Sequence, residues 1–116
     1  MKPKLHFCYV WGSRSMLRDQ HRAAVATVAR AAEMVGATVA YYDIHTKSGA
    51  VVARQHGVQM IPALCILGEG ALLVPVLTGP ELYELDAVLL SAERGLRATR
   101  IRGDDDPACR TKEKGE

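Results

Sequence analysis

Nucleophilic and titratable side chains are sparse in this chain, and their spacing limits the chemistry open to them. Its three cysteines, Cys8, Cys65 and Cys109, stand far apart. They form neither a Cys-x-x-Cys pair nor a zinc pattern. Cys8 and Cys65 each fall within an apolar run, where a thiol acts as a small buried hydrophobe. The alternative is a nonstandard redox pair, although sheet interiors rarely give relaxed disulfide geometry. Cys109 stands in a charged segment and is expected to be exposed. The four histidines, His6, His21, His45 and His56, lack ligand spacing, so neither a metal nor a cofactor is implied. Ser13 and Ser15 stand in a turn ahead of a helical pattern, where a hydroxyl caps the first turn. Arg14, Arg18 and Arg22 recur at helical spacing. They form either a solvated face or a ridge for an acidic peptide or anion at the helix start.

The chain has 116 residues and a net charge of +2 with neutral histidines, enough for one compact domain. That charge balance argues against a dedicated nucleic-acid or membrane-surface binder. The first residues hold only a short apolar run broken by His6, so no signal peptide is expected. No stretch reaches the roughly 20 apolar residues of a membrane span. The scattered thiols suit a reducing compartment, and a cytoplasmic protein is expected.

The pattern predicts a strand over 4–11, apolar on both faces as a central strand is, then a polar turn at Gly12-Ser13-Arg14-Ser15. A helix over 16–35 carries Leu17, Ala24, Val25, Val28, Ala32 and Val35 on one stripe, and Gly36 stops it. A second strand covers 37–44 and a short helix 49–56, ended by Gly57. Residues 58–61 lead into Pro62, which stands at the mouth of an apolar strand over 63–67. A proline at such a point is often a cis-proline in a tight bend. Gly68-Glu69-Gly70 reads as a hairpin turn into a strand over 71–77, placed at an edge by Pro75. Pro80 opens a last helix with a stripe of Leu82, Leu85, Leu89, Ala92 and Leu96. Residues 97–116 are charged and poor in core formers, and read as a disordered tail. Strand-helix-strand order at the start implies a parallel pair with a right-handed crossover.

The order β-α-β-α-β-β-α resembles the thioredoxin fold, an α/β architecture with a central mixed four-stranded sheet flanked by helices. Three local features carry the resemblance over about 4–96: Trp11 at the end of the first strand, Gly57-Val58-Gln59-Met60-Ile61-Pro62 before the third, and Gly79 before the last helix. The domain is expected over 1–96 and the tail over 97–116. The family's Trp-Cys-Gly-Pro-Cys motif reads here Trp11-Gly12-Ser13-Arg14-Ser15. Gly12 and Ser15 replace its two cysteines, and a serine hydroxyl forms no disulfide. His6 stands where the family keeps a buried carboxylate.

The resemblance implies a groove lined by Trp11, Gly12, Ser13, Arg14, Ser15, Ile61, Pro62 and Gly79. In the family that groove holds an extended polypeptide, bonded to the backbone beside the cis-proline. The expectation is therefore a redox-inactive protein that binds a protein or peptide partner. The alternative is a divergent thiol-disulfide oxidoreductase or glutathione-handling protein that uses Cys8 or Cys65. A scaffold that associates through another face is a third reading.

Overall fold

The computed structural model describes residues 5–14 and 18–104. Its elements run β1 (His6–Trp11), α1 (Arg18–Val35), β2 (Thr38–Asp43), α2 (Lys47–Gln55), β3 (Ala63–Gly68), β4 (Ala71–Leu72), β5 (Leu77–Thr78), a 3-10 turn (Gly79–Tyr83) and α3 (Leu85–Asp104). The strand order is β2-β1-β3-β4, and β5 also pairs with β3. β1 runs parallel to β2 and antiparallel to β3. The sheet is mixed and flanked by helices, the α/β architecture expected from the sequence.

β1 is central, which explains why its four inner residues are all buried. Side chains alternate across a strand, so Phe7 and Tyr9 enter one core and Cys8 another. The larger core holds Phe7, Tyr9, Leu64 and Ile66 of the sheet, Ala24, Val28, Ala31 and Ala32 of α1, and Val88 and Ala92 of α3. The smaller one gathers Cys8, Cys65 and Leu67, with Val52 and Val58 against them. Of the α1 stripe, Ala24, Val28 and Ala32 are buried, Val25 and Val35 are half-buried, and Leu17 lies outside the described residues.

Four boundaries differ from expectation. Pro80 opens the 3-10 turn over Gly79–Tyr83 rather than the last helix, which begins at Leu85 after an extended Glu84. The strand expected over 71–77 is two short strands. β4 pairs Leu72 with Leu67, and β5 pairs Leu77 with Leu64. Between these pairs β3 holds Cys65 and Ile66, whereas the other strand holds Leu73 to Val76, two residues more. Pro75 has no N–H to give a ladder, and the surplus bulges out there. The short helix starts earlier, at Lys47, because Thr46 caps it by accepting from the Gly49 N–H. Finally, α3 runs to Asp104, so 97–104 is helical rather than tail, and 105–116 lie outside the described residues. The Thr99 methyl and the Leu73 side chain close over Gly68, which anchors this extension to the β3–β4 hairpin. That hairpin turns at Glu69 and Gly70, both at positive φ, as a tight primed turn requires.

Candidate functional site

The site lies where the C-terminal ends of β1 and β2 meet the chain entering β3. β1 delivers Trp11, half-buried, and then Gly12, buried, at the start of a turn whose Ser13 and Arg14 are exposed. The Ile44 N–H donates to the Trp11 carbonyl at 2.9 Å and continues the parallel pairing past the last strand residue. Asp43 then ties the turn down. Its Oδ1 accepts from the Ser13 N–H at 3.3 Å and the His45 N–H at 3.0 Å. The Ser13 hydroxyl and these N–H groups, with His45 nearby, hold the Asp43 carboxyl below its usual range against slight desolvation. Ser13 thus anchors the turn; the residues it would cap lie outside the described residues. Ser15, the other expected cap and groove residue, lies outside the described residues.

Ile61 approaches the turn from the other side. A Cβ added to Gly12 would stand 2.5 Å from Ile61 Cδ1, with His45 Nε2 and Ile44 Cδ1 next nearest. A larger residue at this position would make the Ile61 side chain shift. The Ile61–Pro62 peptide bond is cis, and Gly79 has a φ of 58°. The Gly79 N–H donates to the Pro62 carbonyl at 3.0 Å. Gly12, Ile61, Pro62 and Gly79, separated in sequence, therefore come together, with Trp11, Ser13 and Arg14 continuing from Gly12. No backbone hydrogen bond among the described residues engages Met60 or Ile61. Met60 is 63% exposed.

An aromatic stack backs the turn. His21, projecting from α1, lies face to face with Trp11 at a ring-centroid distance of 3.6 Å. It also stacks on Tyr9 at 5.6 Å. Tyr9 is fully buried, and its hydroxyl lies 3.1 Å from His21 Nδ1. Burial, with Tyr83 close by, pushes the Tyr9 phenol up, so it keeps its proton. Burial likewise lowers the His21 basicity, with Asp43 opposing.

The remaining candidates fall elsewhere. His6 is half-buried, not enclosed as the family's carboxylate would be, and bonds Thr38 Oγ1 through Nδ1. Arg18 and Arg22 share a helix face, but Arg14 stands in the turn, so the three do not form one helical ridge; all are exposed. Cys8 and Cys65 are direct cross-strand partners, both buried and unbridged. Burial raises the Cys8 thiol, and burial with Cys8 beside it pushes Cys65 up to about 11. Cys109 lies outside the described residues. Among the described residues no group of three metal-ligating side chains converges, and no helix is long and apolar enough to cross a membrane.

Sequence reasoning missed Ile44, His45 and Asp43 as parts of the site. The only local signal was a carboxylate closing a strand, which is common in turns. Its partner, Ser13, is thirty residues away.

No protein-family model matches the chain, and no curated protein matches it by sequence. Among solved structures, a malarial protein superposes with a TM-score of 0.61 at 10% identity, over 80% of this chain and 98% of that one. The germline-specific thioredoxin Deadhead of Drosophila melanogaster superposes with a TM-score of 0.57 at 14% identity, over 76% of this chain and 80% of its own. With the mixed sheet and element order described above, these likenesses give the chain a thioredoxin-like fold.

Proposed function

We propose that this chain binds an extended polypeptide in the groove between the Gly12 turn, Ile61–Pro62 and Gly79, without dithiol chemistry. The observation that carries this reading is Ile61. It is half-buried beside the turn, and its backbone N–H and C=O have no backbone partner among the described residues. Such groups seek a partner, and an added strand supplies one. The apolar surround of Ile61, Met60, Ile44 and Trp11 suits apolar side chains on that strand. At the place where the family carries its attacking cysteine, Ile61 Cδ1 fills the space a Cβ would need.

The second reading, a divergent thiol oxidoreductase, rests on the facing Cys8 and Cys65. Both thiols are buried with raised pKa, which disfavours the attacking thiolate.

One experiment separates the two. Peptides selected from a displayed random library on the full chain are titrated against wild type, Ile61→Arg and Cys8→Ser, with folding checked by circular dichroism. Groove binding predicts an affinity loss of about tenfold or more for Ile61→Arg and none for Cys8→Ser. Equal affinity in Ile61→Arg removes the groove. Catalysed disulfide reduction that Cys8→Ser abolishes favours the oxidoreductase.

A further inference from the structure

We propose that the outer edge of β2 pairs antiparallel with the same edge of a second copy of this chain, joining two sheets about a two-fold axis at Ala40. β2 ends the strand order, and among the described residues no strand lies outside it. The Thr38 N–H donates to the Leu5 carbonyl, and the Ile44 N–H to that of Trp11. Backbone groups alternate in direction along a strand. Even-numbered residues of β2 therefore face β1, and Val39, Tyr41 and Asp43 face outward. Thr46 takes the Asp43 carbonyl through its N–H and its hydroxyl. Val39 and Tyr41 remain, each with an N–H and a C=O at the open edge.

The two edges of the sheet differ. The opposite one is broken into β4 and β5, two residues each, with a bulge at Pro75 between them. Short strands, bulges and proline all block edge-to-edge growth. β2 has none of these. Its six residues, TVAYYD, include no proline or lysine, and the one charge is Asp43 at its end. Tyr41 is 46% exposed and Val51, on the neighbouring α2, 54%. A shallow depression lined by Tyr42, Lys47, Ser48, Val51 and Val52 runs beside the strand.

The strand's own sequence selects a second copy as the occupant. With the axis at Ala40, Val39 opposes Tyr41 of the other copy and Thr38 opposes Tyr42. Each is an aromatic side chain against a β-branched one, a favourable cross-strand pair. Val39 and Tyr41 then exchange both backbone hydrogen bonds, using the groups that face outward. The two Asp43 carboxylates lie at opposite ends of the ribbon. Moving the axis to Tyr41 sets Asp43 against Val39 and Ala40 against Tyr42, losing those pairs. A six-residue ribbon alone falls short of the about 800 Å² per partner of a tight dimer. The Tyr42–Val51 surface extends it, and the dimer depends on concentration.

The test is sedimentation equilibrium of the full chain carrying Cys109→Ser, over a wide concentration range. A reversible monomer–dimer equilibrium is expected, retained in Tyr41→Phe and weakened about tenfold in Tyr41→Lys. Because Tyr41 also meets Tyr9 edge-on, a second variant reads the register without changing that ring. Under mild oxidation by glutathione disulfide, Ala40→Cys is expected to form a covalent dimer across the axis, and the more exposed Thr38→Cys is not. A chain that stays monomeric and does not cross-link at Ala40 overturns the proposal. So does a dimer unaffected by Tyr41→Lys, or cross-linking at Thr38 as fast as at Ala40.

Discussion

His21 is the side chain on which the packing behind the turn depends. It hydrogen-bonds a fully buried phenol through Nδ1 and stacks on Trp11, and burial favours its neutral form. Its pKa is depressed by burial, so on acidification the unfolded chain takes up a proton before the folded one. Stability attributable to His21 is complete above the ordinary histidine range and is lost as pH falls through and below about 6.5. The expected outcome is a melting temperature that drops between neutral and mildly acidic pH, measured by circular dichroism. In His21→Gln that slope is smaller. A slope unchanged in the variant would place the titrating group elsewhere. In the sequence His21 has no ligand spacing, and in the fold it projects from α1 onto β1. Its two ring partners were not legible, because contacts across layers leave no mark in the spacing of any one segment.

The elements themselves were readable where periodicity is strong. β1 alternates its side chains between two cores, α1 carries an apolar stripe, and the glycine-rich hairpin has its turn chemistry in plain view. What failed was the edge: an apolar run over 71–77 looks continuous until Pro75 removes a donor and forces a bulge. The start of α2 escaped for a related reason, since Thr46 caps it only once Asp43 is in place. That junction is very tight. A Cβ on Gly49 would stand 1.8 Å from the Asp43 carbonyl oxygen, a backbone atom that cannot swing aside. Gly49→Ala is therefore expected to cost about 2–3 kcal/mol, seen as a lower midpoint in urea. Because Asp43 also holds the Gly12 turn, the same variant is expected to weaken peptide binding. A variant as stable as wild type would mean that α2 shifts freely against β2.

At the scale of the whole molecule, α3 runs past residue 96, where composition alone places the start of a tail. A solvent-facing helix and a disordered tail have similar charged sequences, and Arg97 is exposed in either case. The contact that distinguishes them is Thr99 against the Gly68–Leu73 hairpin. Ending the chain after Leu96 removes it and is expected to cost about 1 kcal/mol, or about 4–8 °C in melting temperature. Ending it after Asp104 should change little. Equal melting of the two truncations would show the extension to be stably helical without being packed.

The chain holds a single tryptophan, and that residue stacks on His21 beside the Gly12 turn. Excited at the red edge of its absorption, the protein emits from this one place. A protonated imidazole in van der Waals contact withdraws an electron from an excited indole and darkens it, which a neutral imidazole does far less efficiently. The light emitted by the native protein is therefore a gauge of the charge on His21, and a peptide laid along the neighbouring groove would shift its colour without any label.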